Sequence, residues 1–479
     1  MNEQILPLSA LQAPPLPDEA AVRRVLDRAR ASLNGKLVVL DDDPTGIQTV
    51  HDVPVYTDWR KETLLRGLQE RGRMLFILTN SRSFSRQETQ RVHREIADNL
   101  AWAARRAGVE FHLLSRGDST LRGHYPLETE TLRRELEKQL PVHFDGEILM
   151  PYFNEGGRYT IHGVHYVRTG DVLIPAGQTE FARDATFGYQ SSDLAEWCQE
   201  KTEGRCAASS VFCITLEELR AMDMDGILDK LMRARDFTRY VIDAADDRDV
   251  EVFAAALLQA IAAGKRYLFR CAAGLVRVLG GVEYRNLLTW AELRTGHAPG
   301  LILVGSHVKK TTDQLQYLLQ SQMLLEPICF DVSCAADGAA LMRERDRVLE
   351  QMEKVLTAGH TAVVYTSRRL ILAQDGSPQD NLAVSVGISQ AISSLVAQLH
   401  TRPGYIIAKG GITSSDVGVK GLGVRRAWVL GQLLPGVPVW RTGEESRFPG
   451  LPYVIFPGNV GGEDSLRQAV EILETGRRT

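Results

Sequence analysis

Short apolar runs alternate along this chain with longer stretches in which apolar residues recur at helical spacing. Residues 37–40 are continuously apolar and include two valines, which predicts a strand buried on both faces of a parallel sheet. Ahead of them, Val22, Val25, Leu26, Ala29 and Leu33 mark a helix over 20–33. The pattern continues with helix 63–71, strand 74–79, helix 86–106 (Val92, Ile96 and Leu100 on one face), strand 111–114, helix 127–140 and strand 148–150. It resumes with strand 240–243, helix 250–263 and strand 267–270. Residues 156–188 break the period. They are rich in Gly, Thr, aromatics and Arg, and predict irregular or hairpin structure around a site. A second alternating block runs through 301–304, a helix through 313–323, then 362–366, 382–399, 405–408, 424–433, 453–456 and 463–474. Strands alternating with helices predict βαβ units. The fold class is therefore α/β, as two α/β domains, each with a mostly parallel sheet flanked by helices.

The stretch 284–300 ends in Arg-Thr-Gly-His-Ala-Pro-Gly, a linker composition that joins the blocks near residue 295. The expected organisation is a flexible N-terminal arm at 1–18, a first domain at 19–290 and a second at 300–479. A length of 479 residues agrees with more than one domain. The net charge of −4 gives no reason to expect nucleic acid or a membrane surface as partner. No apolar run has the length of a spanning helix. The first residues lack a basic region and a continuous apolar core, so they read as a loose arm and not a signal peptide. That arm is either free or joined to a second copy in a homodimer. Six cysteines, at 198, 206, 213, 271, 329 and 334, form no Cys-x-x-Cys pair and read as free thiols of a cytoplasmic protein. No carboxylate or thiol joins His162 and His165 at ligand spacing, so no metal site is assigned.

The candidate chemistry lies where strands end. The first strand stops in Asp41-Asp42-Asp43-Pro44-Thr45-Gly46. Pro44 removes a ladder donor and Gly46 permits a sharp turn. Open α/β sheets hold their ligands at the carboxyl ends of strands. Clustered carboxylates repel, so they need cations, hydroxyl donors or a proton-transfer role there. Two further strand ends supply partners: Thr79-Asn80-Ser81-Arg82-Ser83, and Ser115-Arg116-Gly117-Asp118-Ser119-Thr120-Leu121-Arg122-Gly123. Guanidinium groups suit carboxylate or phosphate, and hydroxyls suit hydroxyls. The set fits a small, polar, anionic polyol.

The second block repeats one design three times. An apolar strand runs into Gly305-Ser306, into Gly410-Gly411-Ile412-Thr413-Ser414-Ser415, and into Pro457-Gly458-Asn459-Val460-Gly461-Gly462. Glycines let backbone N–H groups approach an anion, and a following helix adds favourable partial charge. Three such loops at one sheet edge would cradle the phosphates of a nucleotide. There is no Gly-x-x-x-x-Gly-Lys-Ser/Thr loop and no Gly-x-Gly-x-x-Gly fingerprint, which argues against an NAD-dependent dehydrogenase.

Together these segments resemble the four-carbon acid sugar kinase family. Asp42-Asp43-Pro44-Thr45-Gly46 is similar to its Asp-Asp-x-Thr-Gly signature, and 116–123 to its Lys-x-Asp-Ser-Thr-Leu-Arg-Gly segment. Residues 151–160, with Gly157-Arg158, resemble its Pro…Gly-Arg stretch. Gly410-Gly411-Ile412-Thr413 and Pro457–Gly461 resemble its nucleotide loops. The resemblance implies an N-terminal sugar-acid domain and a C-terminal nucleotide-binding domain. It implies transfer of the γ-phosphoryl group of ATP, with Mg2+, to the terminal hydroxyl of a tetronic acid such as threonate, erythronate or 3-oxo-tetronate. Asp42 and Asp118 would then be catalytic, accepting or orienting the hydroxyl proton. Asp43, Arg82, Arg116, Gly117, Ser119, Arg122 and Arg158 would bind the sugar acid, with Arg82 and Arg116 clamping its carboxylate. Ser306, Gly410, Gly411, Ile412, Thr413, Gly458, Asn459 and Gly461 would bind ATP. Arg116 and Phe456 stand where the family has Lys, Ile412 where many members have Asp, and Val460 where Phe is common. These departures, with the additional Asp41 and Pro44, suggest a divergent subgroup. A kinase for another sugar acid or polyol, and a nucleotide- or metabolite-binding regulator without turnover, are the alternatives.

Overall fold

The computed structural model describes residues 3–294, 296–306, 308–335, 337–367, 378–458 and 460–478, with backbone alone over 378–386. The chain divides into two units: Met1–Thr49 with Asp58–Tyr284, and Val50–Thr57 with Arg285–Thr479.

The first unit is built on a parallel sheet in the order Phe212–Ile214, Thr238–Ile242, Gly146–Met150, Tyr267–Cys271, Phe111–Arg116, Lys36–Asp41, Met74–Leu78. The central strands are buried along their whole length, as their mainly apolar composition requires. Helices between them present one apolar stripe. Arg86–Ala107 buries Val92, Ile96 and Leu100, is capped by the Ser85 side chain and stops at the left-handed Gly108. From Lys36–Asp41 the chain reaches its neighbour Met74–Leu78 on one side, then Phe111–Arg116 on the other. That reversal makes the carboxyl end of Lys36–Asp41 a topological switch point, the place where such sheets open a crevice.

The stretch 156–188 forms a separate antiparallel sheet of Arg158–Ile161, Val164–Thr169 and Val172–Pro175. Its hairpin is held to the parallel sheet by buried Asp243, whose carboxylate accepts the His162 and Gly163 amides at 2.8 Å each. Leu6–Pro7 adds a strand to this sheet. Arg220, paired with Asp249, donates to the Leu11 and Pro14 carbonyls. The segment before Asp18, loose by composition, is thus tied down by backbone pairing and a buried guanidinium.

The second unit has parallel strands Pro452–Phe456, Ile406–Lys409, Leu301–Val304, Thr361–Thr366 and Leu325–Phe330 in that order. It continues antiparallel through Val437–Thr442, Arg426–Leu434 and Val53–Tyr56. Helices Lys309–Leu319 and Ser465–Thr475 contribute Leu315, Leu318, Leu466, Val470 and Leu473 to the core under Ile302, Val304, Ile407 and Val454. Residues 426–434 depart from the strand–helix alternation. They bury every second position from Ala427, which is a strand period, and turn back as a hairpin. The helix Gly338–Thr357 and strand Leu325–Phe330 fill the long interval after residue 323.

Candidate functional site

Each unit gathers polar groups at the carboxyl ends of its strands. In the first unit, Asp41 is the last residue of its strand and lies in register with Arg116. The Arg116 guanidinium donates to Asp41 Oδ1 at 3.1 Å and lies 3.8 Å from Asp42. All three residues are buried. Gly46 makes this closeness feasible, because a Cβ there would lie 2.1 Å from the Asp41 carboxylate. Asp43 accepts the Thr45 amide and hydroxyl, a local turn that points its other oxygen at Arg82. Arg82 also reaches Asp118 at 3.2 Å. Asp118 in turn accepts from Thr120 Oγ1 and, at 2.8 Å, from Arg122 Nε. The Asp118 amide donates to Asp42 Oδ2 at 3.2 Å.

The loop 117–123 is held from behind. Arg270, buried, donates to the Asp118 and Arg122 carbonyls, and Gly117 lies so close that a Cβ would sit 2.3 Å from its guanidinium. His165 Nε2 donates to the Ser119 carbonyl at 2.8 Å, which leaves Nδ1 to accept the Thr160 hydroxyl. Burial pushes His165 down to about 4, so the ring is neutral. Tyr189 donates to the Thr120 carbonyl. Arg122 and Arg158 both lie over the Phe181 ring, at 5.2 and 5.3 Å. Arg158 donates to the Gly156 carbonyl, and no carboxylate among the described residues forms an ion pair with it.

These surroundings separate the carboxyl groups. Burial pushes Asp41 up to about 7 and Asp42 up to about 6, against the pull of the guanidinium groups. Burial also acts on Asp43 and Asp118, but there it is outweighed. Arg82 and Thr45 hold Asp43 below its ordinary value, and Arg82 and Arg122 hold Asp118 well below the carboxylate range. Asp41 Oδ2 and Asp42 Oδ1 are buried with no hydrogen-bond partner among the described residues. The structure therefore brings Asp42, Asp43, Arg82, Arg116, Gly117, Asp118, Ser119, Arg122 and Arg158 together. Sequence reasoning passed over Arg270, although it follows an apolar run one residue before the end of the strand Tyr267–Cys271.

In the second unit the three glycine loops follow three adjacent strands, with Val304 in register with Lys409 and Lys409 with Phe456. The Gly305 amide donates to the Lys409 carbonyl, and the Gly410 amide to the Phe456 carbonyl at 2.8 Å. Close packing excludes side chains at the junction. A Cβ on Gly305 would lie 2.2 Å from Thr413 Oγ1, and one on Gly410, whose φ is +121°, would lie 2.9 Å from Ser306 Cβ. Gly458 faces the Ser306 hydroxyl, and its carbonyl accepts from Thr311. Gly411 opens the helix Gly411–Asp416. Ile412 is 69% exposed. Gly461 packs against Ser465, and the Gln314 amide fixes its neighbours through the Val460 and Gly462 carbonyls. Asn459 lies outside the described residues. Lys409, also passed over, sends its ammonium to the Pro457 carbonyl at 2.5 Å.

A parallel α/β unit with a guanidinium-rich switch point, and a second whose glycine loops meet at neighbouring strand ends, define a protein with separate sugar-binding and nucleotide-binding domains. Residues 37–279 match a sugar-binding N-terminal domain, and 301–466 match a nucleotide-binding C-terminal domain. The chain belongs to the four-carbon acid sugar kinase family, which this pair of domains defines. Its structure is similar to that of a Salmonella typhimurium LT2 protein provisionally called a tRNA synthase, at 18% identity and a TM-score of 0.66, over 90% of this chain and 98% of that one. It is also similar to Haemophilus influenzae protein HI1011, of the DUF1537 family, at 20% identity and a TM-score of 0.61, over 91% of this chain and all of that one. These likenesses establish the shared fold. No curated protein matches the chain. No helix among the described residues is long and apolar enough to cross a membrane.

Proposed function

We propose that the protein is an ATP-dependent kinase that phosphorylates the terminal hydroxyl of a four-carbon sugar acid of the threonate, erythronate or 3-oxo-tetronate type. The observation that carries this reading is the contrast between two carboxyl groups on adjoining loops. Asp42 has a buried, unpartnered oxygen and is pushed up to about 6, close to what a general base needs at neutral pH. Asp118 is saturated with donors and held low, which makes it a poor base and a firm anchor for Arg82 and Arg122.

In the proposed reaction the substrate hydroxyl oxygen forms a bond to the γ-phosphorus of ATP as the bond from that phosphorus to the β–γ bridging oxygen breaks. The hydroxyl proton passes to Asp42, and ADP leaves. Arg116, committed to Asp41 and Asp42, is a positioning residue beneath the base. Arg158, with no carboxylate partner among the described residues, is the better clamp for the substrate carboxylate. Arg270 and His165 hold the loop 117–123 by its carbonyls. The glycine loops of the second unit bind the phosphates through backbone N–H groups. No group of three or more His, Cys, Asp or Glu that could hold a metal ion occurs among the described residues. Mg2+ would supply charge neutralisation as part of the metal–nucleotide complex.

The test is ADP release from ATP with Mg2+ across a panel of four-carbon sugar acids and their 3-oxo forms. Turnover with one of them is expected. ATP binding without turnover on any panel member would point to another acceptor or to the regulatory alternative, and no ATP binding would remove the kinase reading.

A further inference from the structure

Lys409 ends the strand Ile406–Lys409 and stands between the strands that lead into the other two glycine loops. The residue is wholly buried. Its ammonium donates to the Pro457 carbonyl at 2.5 Å and the Gly458 carbonyl at 3.4 Å, and lies 4.1 Å from the centre of the Phe456 ring. No carboxylate among the described residues is paired with it. The positive charge of Lys310, in the first turn of the helix Lys309–Leu319, acts on it as well.

Carbonyl oxygens and a ring face satisfy the donors of an ammonium group, but they do not cancel its charge. An ion taken out of water without a counter-ion is costly, and a second cation nearby raises that cost. The same potential is favourable to an anion, and the three glycine loops meet at this junction with the Ser306 and Thr413 side chains packed against their glycines. Three adjacent strand ends thus enclose one buried cation whose contacts are backbone carbonyls and a ring face, with no ion-paired carboxylate among the described residues.

We infer that Lys409 is a phosphate-binding residue, whose charge at the meeting point of the three glycine loops holds the phosphate chain of the nucleotide. The inference rests on the nucleotide-binding part of the proposed function and adds a ligand that the glycine loops alone do not provide. A backbone N–H binds any acceptor, whereas a fixed ammonium favours groups by their charge. The site should therefore rank ligands in the order triphosphate, diphosphate, monophosphate, nucleoside.

The competing role is a staple, in which Lys409 only joins its strand to the Pro457–Gly458 turn. Lys409→Gln keeps a neutral donor for those carbonyls, Lys409→Arg keeps the charge, and Lys409→Met serves if the Gln variant does not fold. The experiment is calorimetric titration of the full chain with ATP, inorganic tripolyphosphate and adenosine. The expected result is that Lys409→Gln weakens ATP and tripolyphosphate by about tenfold or more, as loss of a charge-assisted bond should. Adenosine affinity should stay unchanged, and Lys409→Arg should restore most of the loss. Equal losses for ATP and adenosine, or no loss for either phosphate ligand, would overturn the inference in favour of the staple. If wild-type protein turns over a sugar acid while the Gln variant binds tripolyphosphate normally, the role of Lys409 alone fails. If tripolyphosphate binds through Lys409 but no sugar acid is phosphorylated, the kinase reading alone fails. If wild-type protein binds neither ATP nor tripolyphosphate, both fail.

Discussion

Asp42 and Asp118 are joined by a backbone hydrogen bond, yet their neighbours assign them opposite proton chemistry. If Asp42 is the base, Asp42→Asn should lower kcat by about 10²–10⁴-fold while leaving ATP affinity unchanged. Turnover within twofold of wild type would exclude it. The pH dependence has a definite sign. A base must be ionised to act, so kcat/KM should rise through about pH 6, and Asp42→Asn should abolish that limb. Stability runs the other way. Asp41 and Asp42 are raised in the folded protein, so their contribution is complete below the ordinary carboxylate value and is lost as pH rises through about 6 and 7. Thermal melts of the unliganded protein should show this loss between pH 4 and 7.5, and less of it in Asp42→Asn. Arg158 makes a separate prediction. Arg158→Ala should raise KM for the sugar acid by roughly 10–100-fold, the worth of a hydrogen bond to a charged group, with KM for ATP unmoved. An equal rise in both constants would assign Arg158 to the structure of the hairpin instead.

At the scale of elements, the loops pack closely because Gly305, Gly410 and Gly461 leave no room for a side chain. Gly410 combines φ of +121° with a Cβ position 2.9 Å from Ser306. Gly410→Val should therefore cost about 1–3 kcal/mol from backbone strain alone and weaken nucleotide binding, with sugar-acid binding retained. Denaturant melts and separate titrations with the two ligands would check this. Much of this layer was legible in the sequence because buried parallel strands are written as apolar runs. Residues 37–40, 74–79, 301–304 and 453–456 correspond closely to strands, and the Asp and Gly turns mark their ends. Two other strands were harder to see. The antiparallel Arg426–Leu434 alternates and contains Gly431, so it breaks the run signal, while Pro327 and the exposed Glu326 disguise the parallel edge strand Leu325–Phe330. The helix Gly338–Thr357 was missed, although Leu341, Val348, Met352 and Leu356 share its buried face. The site was legible where a motif carried it. Arg270 and Lys409 were not, since one cation at the end of an apolar run looks solvated until the neighbouring loops cover it.

At the scale of the whole molecule, the order of the chain hides the composition of the second unit. Residues 50–57 lie deep in the first half of the sequence, yet Val53–Tyr56 pairs with Arg426–Leu434 in a four-residue register from Val53 opposite Val429 to Tyr56 opposite Arg426. The flanks extend the pairing. The Asp52 amide donates to the Val429 carbonyl at 2.8 Å, and the Thr57 hydroxyl to the Val424 carbonyl at 2.5 Å. A fragment of residues 285–479 would keep every strand of the second unit but this one. It would then present the Arg426–Leu434 backbone unpaired on the side that Val53–Tyr56 occupies. Unpaired strands of that kind recruit other chains. The fragment alone should therefore melt at a lower temperature than one with residues 50–57 fused to it, and should associate at concentrations where the fused form stays monomeric. A synthetic peptide of residues 50–57 added in trans should move the melt in the same direction, since whatever binds only the folded form stabilises it by mass action. Size-exclusion chromatography and thermal unfolding of the two fragments decide the matter: equal melting temperatures and a monomeric short fragment would mean that the strand is an accessory of the second unit and not a component of its stability.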